Sequence, residues 1–541
     1  MVYRVGFKGR YRKKEMGASV ANRDWVRDSS DLAAFGYRQR LDRTLGGFSS
    51  FAAGFSYLSI LTGLPQLFYL GYGAGGPAFF WTWPLVLCGQ FFVALCFAEL
   101  AAQYPLAGGV YQWSKQIGPA WVGWMAGWVY LACAVITLAS VALALQATLP
   151  QIAPAFQIVG EIDRPADAAQ NAVLLGCALI AFSMLINGVG VRLLARINNV
   201  GVFAEMVGTI LLIMLLTYKA RRGINVVFDT QGRGSSGPFG YLGPFFAAAL
   251  IPSFVMYGFD TAGSLAEETT DPRRRAPRAI LGALAAVGIA GACLILGVLR
   301  GVDNLADPEL GHLSGGMQHA IKQILGPSLG MLLLCDVALA ILICTLTVHA
   351  AAVRLVFSMA RDNNLPFSHA LAWVSGSSRT PVLPAILLGL FAAAILVVNV
   401  NFPQVIEVLV SVSIVWANLA YLLVTIPMLC SRLRRRGRAK RAPEPGIFRL
   451  GRWGLPVNLV AVVWGVLVVV NIGWPRQEIY GTIWYRRYSA PVATALLLIV
   501  GALCYRLVRR GAAGVLETHR ALGNEHEHDT NMNRTRLPAG K

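Results

Sequence analysis

Residues 251–260 read Ile251-Pro252-Ser253-Phe254-Val255-Met256-Tyr257-Gly258-Phe259-Asp260, and they interrupt an apolar run at 240–266. A proline inside a helix costs about 3 kcal/mol and a glycine about 1. Pro252 and Gly258 therefore mark a weak point in a segment otherwise suited to one long helix, and Asp260 adds an ionisable group at that depth. A second weak point lies upstream, in Phe55-Ser56-Tyr57-Leu58-Ser59-Ile60-Leu61-Thr62-Gly63-Leu64-Pro65, where Ser, Thr, Gly and Pro crowd the middle of another apolar run. Either break alone reads as an ordinary kink with packing glycines. Paired breaks at equivalent places of two repeats point instead to a binding site built from discontinuous membrane helices.

Composition supports the membrane setting. The 541 residues are 56% hydrophobic and 14% charged, and the mean hydropathy is +0.56. A soluble domain carries about 25% charged residues, so this chain has too little charge to coat several globules. Disordered, collagen-like and disulfide-framework classes are excluded on the same grounds. The nine cysteines are scattered through apolar runs without a C-x-x-C pair, and they read as small buried apolar residues, with no metal site. Residues 1–45 are polar and hold 11 Lys or Arg, with no apolar core of signal-peptide length, so no cleavable signal is expected.

A bilayer core takes about 20 apolar residues per helix. Such stretches fall at 46–71, 79–103, 119–148, 171–190, 197–217, 240–266, 279–299, 327–353, 384–400, 404–430, 455–474 and 488–505, about twelve spans. Placing the N-terminus in the cytoplasm puts 37 of the 47 Lys and Arg on that side, which is the asymmetry that sets membrane orientation. Both termini of a multi-pass cell-membrane protein are thus expected in the cytoplasm. Lys219, Arg221 and Arg222, together in one outer loop, run against the rule.

The formal net charge of +20 also raises the question of nucleic acid. The basic run Arg432–Arg441 has no interleaved aromatics, and it reads as a topology anchor facing anionic lipid. Its position is informative, because the long inner loop follows span 10 and not span 6. That favours five spans plus five plus two. A five-span unit inserts upside down when repeated, so the fold class expected is an all-α polytopic membrane protein with an inverted repeat and discontinuous spans 1 and 6. The expected divisions are an N-terminal tail (1–45), a transport core (46–430, repeats about 46–217 and 240–430), a basic loop (431–454), two peripheral helices (455–505) and a C-terminal tail (506–541). That tail, with Glu517, Glu525, His526 and His528, reads as disordered.

Helix ends supply the chemistry. N–H groups freed at the start of a half-helix hold an anion such as a carboxylate, and freed carbonyls at the end of one hold an ammonium. A pocket with both suits a zwitterion, an amino acid or a near relative.

At this point the residues resemble a known family. Gly258-Phe259-Asp260, Ala266-Glu267-Glu268-Thr269, Asp271-Pro272, Arg275, Pro277 and Ile280 resemble the G-F-D…A-E-E…P-R…P-I signature of the amino acid–polyamine–organocation superfamily. Glu99-Leu100, Tyr104-Pro105, Gly108-Gly109, Tyr111 and Trp113 resemble its turn after span 2, and Arg354, Ala360-Arg361-Asp362 and Leu365-Pro366 its exit from span 8. Ser59-Ile60-Leu61-Thr62-Gly63 together with Gly258-Phe259-Asp260 looks most like the amino acid/choline branch, whose members move amino acids, 4-aminobutyrate, choline or polyamines. The resemblance implies a substrate site at Ser59, Ile60, Leu61, Thr62 and Gly63 on span 1, and at Phe254, Val255, Tyr257, Gly258, Phe259 and Asp260 on span 6. Thr62 and Gly63 match the G-[ST]-G break whose amides meet the substrate carboxylate. Leu61 replaces its first glycine, which shortens or shifts the unwound stretch.

Coupling candidates are Glu205, a carboxylate among apolar residues of span 5, and Thr345 and Thr347 of span 8, whose hydroxyls suit sodium. Intramembrane ionisable groups are costly and often functional, although Glu205 also reads as a packing hydrogen bond, and membrane hydroxyls commonly bond their own backbone. Some relatives carry a span 5 lysine as a built-in cation, and this span has none. Asp336 and Glu407 are expected near helix ends, in water. Glu99, Glu267, Glu268 and Arg354 are the inner-gate candidates. The expected function is secondary active transport of an amino-acid-like substrate by alternating access, proton-coupled or by exchange, without a cofactor. A non-transporting sensor of the same fold is the alternative. A membrane enzyme is the weakest, since no catalytic carboxylate pair, nucleophile elbow, Walker motif or metal cluster appears in the sequence.

Overall fold

The computed structural model describes residues 32–161, 164–234, 239–376, 378–398, 400, 405–434, 446–476, 483–509 and 514–520. Among them, ten helices are long and apolar enough to cross a membrane, and two shorter apolar helices, Leu242–Val255 and Val382–Val398, stand at spans 6 and 9. Span 2 is Thr82–Gln103, span 3 Ala120–Ala142, span 4 Pro165–Val189 and span 5 Val191–Tyr218. Span 7 is Pro272–Gly301, span 8 Pro327–Arg361, span 10 Val405–Arg434, span 11 Gly454–Gly473 and span 12 Ser489–Arg509. The described residues contain no sheet, and the fold is that of an all-α polytopic membrane protein. Helices answer the demand that every backbone group in lipid be bonded within its own segment.

Local sequence explains the ends. Pro165, Pro272 and Pro327 open spans 4, 7 and 8, where the missing N–H would have had no partner anyway. Spans 7 and 8 run well past their apolar stretches. Span 8 continues through Arg354 to Arg361, and this overhang carries both guanidinium groups to the carboxylates described below.

Span 1 is two helices, Gly47–Leu58 and Ile60–Gly75, with Ser59 between them at φ 22°, ψ 96°. The Ser59 N–H closes the first half on the Phe55 carbonyl, and the Ser59 carbonyl starts the second half by accepting from Thr62 and Gly63. The interruption is confined to this residue, because Ile60, Leu61 and Thr62 all take helical backbone. Pro65, inside the second half, removes the N–H that the Leu61 carbonyl would otherwise accept. Span 6 falls into Leu242–Ala248, Leu250–Val255 and Thr261–Ser264, with Met256–Asp260 outside any helix. Gly258 has φ +95°, and a Cβ there would run into the Tyr57 ring of span 1. Only glycine meets both demands.

Burial separates centre from edge. The most apolar window of span 1 is 94% buried and that of span 12 is 11% buried. Span 3 packs on spans 8 and 10, and span 7 on spans 1 and 2. Spans 11 and 12 lean on the outside, span 11 on spans 2 and 10, span 12 on spans 3 and 10.

Several sequence expectations change here. Cys96, Cys133 and Cys344 are buried, whereas Cys88, Cys293, Cys335 and Cys430 sit on exposed helix faces, as an apolar surrounding allows. Asp336 stands in the body of span 8 against Gly208 of span 5, not at a helix end. Glu407 is near the start of span 10 but turns inward to accept from the Tyr69 hydroxyl at 3.2 Å. The basic loop after span 5 has a local explanation: Arg221 pairs with Asp303, Arg222 donates to the carbonyls of Val302 and Asp303, and Lys219 caps the span. Within the C-terminal tail, Leu516–Arg520 is docked on the body of the protein. Glu525, His526, His528 and the basic run beyond Arg434 lie outside the described residues.

Candidate functional site

A small cavity lies between the two broken spans. Its walls include Ser59, Thr62 and Gly63 of span 1 and Phe254, Val255 and Tyr257 of span 6. All six are site residues expected from the sequence. Ile60, Leu61, Gly258, Phe259 and Asp260 are buried but do not line the cavity. Five wall residues were not anticipated: Tyr57, Leu58, Thr137, Val141 and Cys344. Tyr57 stood in the quoted break, while Thr137 and Cys344 come from spans 3 and 8 with no sequence signal beyond a polar atom in an apolar run.

The span 1 side is rich in hydroxyls and holds a carboxylate. Ser59 Oγ and Thr62 Oγ1 are 2.6 Å apart. Ser59 Oγ also donates to Glu205 Oε1 at 2.8 Å, and the Leu61 N–H reaches the same oxygen at 3.4 Å. Glu205 is fully buried, and its Oε2 has no hydrogen-bond partner among the described residues. Glu205 thus stands directly behind the cavity wall, at the start of the second half-helix. The Thr62 and Gly63 N–H groups, by contrast, are bonded to the Ser59 carbonyl.

The span 6 side is organised by tyrosines. Asp260 Oδ1 accepts from the hydroxyls of Tyr130 and Tyr421, both at 2.6 Å. The Tyr421 oxygen in turn accepts the Gly258 N–H at 2.7 Å, so the Asp260–Tyr421 pair pins the unwound stretch. Phe97, Phe259 and Tyr421 pack ring against ring at 4.8–5.9 Å behind it. No backbone N–H among the described residues donates to the carbonyls of Met256 and Tyr257. The Tyr257 hydroxyl meets Thr137 Oγ1 at 2.7 Å, and its ring stands edge-on to Phe254 and Tyr57. Aromatic faces and unbonded carbonyls together suit an ammonium group.

Thr345 donates to the Ile341 carbonyl of its own helix. Thr347 bridges Asn198 Oδ1 and the Ser56 hydroxyl, at 2.9 and 2.8 Å. These bonds commit both hydroxyls within the protein.

A charged layer closes the same end of spans 2, 6, 8 and 10. Arg354 meets Glu268 at 3.0 Å, with both side chains buried, Arg361 donates to Glu267 at 2.9 Å, and Arg432 reaches Glu99 at 2.5 Å. All four inner-gate candidates are therefore in ion pairs. Arg361 and Arg432 complete them, and Arg361 was legible only as part of the A-R-D landmark. Next to it, Asp362 gathers Lys115 at 2.7 Å, Tyr111 at 2.7 Å and Tyr37 at 2.9 Å. Burial works against the Lys115 charge, and the Asp362 carboxylate outweighs it, so its pKa lies above the usual lysine value.

The two chain ends cover this layer. The Arg361 guanidinium lies 4.0 Å over the Tyr37 ring, and Gln39 donates to the Glu267 carbonyl at 3.0 Å. Leu516 N–H donates to the Arg361 carbonyl at 2.9 Å, and Arg38 N–H to the His519 carbonyl at 2.9 Å. The His519 ring stands edge-on to Phe357 at 5.7 Å. Burial, with Arg361 and Arg40 nearby, lowers its pKa to about 4.

Comparison with known proteins gives the family. A family model described as "Amino acid permease" matches residues 45–501. The chain is 27% identical to Amino-acid permease BAT1 of Arabidopsis thaliana, over 82% of this chain and 88% of the relative. It is 27% identical to the BAT1 homolog of Oryza sativa subsp. japonica over 82% and 87%, and 25% identical to Amino-acid permease 2 of Neurospora crassa over 82% and 81%. With a match that runs from the first span into the last, this chain belongs to the amino acid permease family.

Proposed function

We propose that the protein is a secondary transporter that moves an amino acid, or an amine close to one, by alternating access around broken spans 1 and 6. The observation that carries this reading is the cavity between the two breaks, with hydroxyls and a half-helix start on one wall and aromatic rings with unbonded carbonyls on the other. That pair of walls fits the two ends of a zwitterion. The five-plus-five inverted repeat would exchange the cavity's exposure from one side of the membrane to the other.

In this scheme the charged layer is the inner gate. The pairs Glu268–Arg354, Glu267–Arg361 and Glu99–Arg432 tie spans 2, 6, 8 and 10 together, and they part when the cavity opens to the cytoplasm. The excess of Lys and Arg on that side supports cytoplasmic termini. Transport draws on a proton gradient or on exchange, with Glu205 as the coupling group.

The test is uptake of labelled amino acids, 4-aminobutyrate, choline and polyamines into proteoliposomes, with pH and sodium gradients imposed separately. Accumulation of one class under a pH gradient or by counterflow is expected. Saturable binding with neither uptake nor counterflow would make the protein a sensor.

A further inference from the structure

We infer that the Glu205 carboxylate and the substrate's carboxylate compete for the same half-helix start in span 1, so that an amino acid binds only with a proton on Glu205. This rests on the amino acid reading above. It goes further, because it separates substrates with a carboxylate from amines without one.

The geometry begins with what the break leaves available. In the first turn of the second half-helix, the Thr62 and Gly63 N–H groups are bonded to the Ser59 carbonyl. The Leu61 N–H points instead to Glu205 Oε1 at 3.4 Å, and the Ser59 hydroxyl to the same atom at 2.8 Å. The chain therefore places its own anion where a helix start attracts one. Ser59 and Thr62 both face the cavity, so only a hydroxyl pair separates the Glu205 carboxylate from the substrate's place. Glu205 Oε2 is buried with no partner among the described residues, a costly state for a charged oxygen and a suitable one for a proton-bearing oxygen.

Among the described residues, the surroundings offer no cation to let two carboxylates coexist. From span 8, Asp336 and the Cys344 thiol interact with Glu205, the first a further acid. His349 on the same helix is engaged by Ser183 and Ala385, and Arg354 and Arg361 belong to the charged layer. Span 1 contributes hydroxyls. On the other neighbours the acidic and basic groups stand toward helix ends, namely Arg273, Arg274, Arg275, Arg278 and Arg300 on span 7, Asp167 on span 4, and His319 and Lys322 on Gly316–Leu325, while the thiols Cys177 and Cys293 in the bodies of spans 4 and 7 supply no cation. On span 5 itself, Arg192, Arg196 and Tyr218 are terminal. Two carboxylates at one site do not both ionise, and the substrate's is the more acidic. The proton comes from the solution the substrate leaves, rides on Glu205, and departs into the solution the substrate enters. Each zwitterion thereby carries one positive charge across.

The experiment measures equilibrium binding to the purified protein from pH 5.5 to 9. Its probes are labelled amino acids (alanine, leucine, 4-aminobutyrate), each paired with its decarboxylated amine. For a bound amino acid, the apparent Kd should be flat at low pH and rise once Glu205 of the empty site loses its proton, approaching about tenfold per unit for a single linked proton. An amine that binds should show no such rise. Glu205→Gln, which keeps the hydrogen-bonding shape without the charge, should flatten the amino acid profile and tighten binding at pH 9, and Glu205→Ala should flatten it as well. A flat profile in the parent, or an undiminished slope in Glu205→Gln, would overturn the inference while leaving the permease reading intact. Absence of binding by every probe at every pH would overturn both. If neither variant folds, the contrast between amino acid and amine in the parent decides the matter.

Discussion

Gly63→Ala is the smallest change that interrogates the contact between the two broken spans. A Cβ at position 63 would lie 2.7 Å from Val255 Cγ2, with Phe254 Cδ1 next at 3.6 Å. Ordinary contact begins near 3.4 Å, so the two backbones must part by several tenths of an ångström to an ångström. Valine cannot swing clear, because its branched Cβ is stiff about χ1. Overpacking of this kind costs about 1–3 kcal/mol, and alanine returns nearly 1 kcal/mol as the better helix former. The net penalty is about 0–2 kcal/mol, and it falls on the arrangement in which Val255 lines the cavity. Affinity should therefore drop by up to about thirtyfold. Val255→Ala removes the offending methyl, and the double variant should bind within about threefold of Val255→Ala alone, a coupling of about 1–2 kcal/mol. Ligand-dependent thermal stabilisation, measured on the four purified proteins, gives all the affinities. If the effects of Gly63→Ala and Val255→Ala simply add, with no coupling between them, then spans 1 and 6 do not meet at the binding site as described.

Tyr421→Phe removes the hydroxyl that accepts from Gly258 and donates to Asp260; each buried group left without a partner costs about 1–3 kcal/mol, and substrate affinity should fall with only a modest loss of melting temperature. Arg354→Met strands the buried Glu268 and should lower stability by about 3–5 kcal/mol, most of which Glu268→Gln in the same chain should restore; a double variant no better than the single would refute the pairing. His519 has its pKa lowered to about 4 in the docked segment by burial and by Arg361 and Arg40, against about 6.5 when free. Docking favours the neutral ring, so it is at full strength above pH 6.5 and weakens as pH falls toward 4. Spin labels on residues 36 and 514 should separate over that window, and His519→Phe should abolish the response.

The sequence was most informative where physics acts locally. Twelve apolar runs became helices with ends within a turn or two of expectation, except where spans 7 and 8 carry charge beyond the apolar stretch. Pro252 and Gly258 marked the weak point of span 6, although Pro252 stays within Leu250–Val255 and the chain leaves the helix only at Met256–Asp260. In span 1 the same logic spread the weak point over Phe55–Pro65, whereas only Ser59 leaves the helix; Gly63 serves close packing on Val255 instead. What could not be read was which distant side chains meet. Nothing near Tyr421 or Tyr130 in sequence announces that both reach Asp260, and the hydrogen bond from Ser59 to Glu205 joins residues 146 positions apart. Such partners are fixed by helix packing, which local pattern does not encode.

The docking of the chain ends also orders the events of biosynthesis. Residues 516–520 are made after every span, yet the Leu516 N–H fills the Arg361 carbonyl, and the His519 carbonyl accepts from Arg38 near the beginning. A nascent chain that has inserted all its helices still lacks these partners. The end of the molecule that carries Arg361 and Glu267 thus gains these partners only once the ribosome has moved beyond Arg520, so that this step of maturation is a docking reaction in water, subject to the pH and salt of that compartment, and not an insertion into lipid.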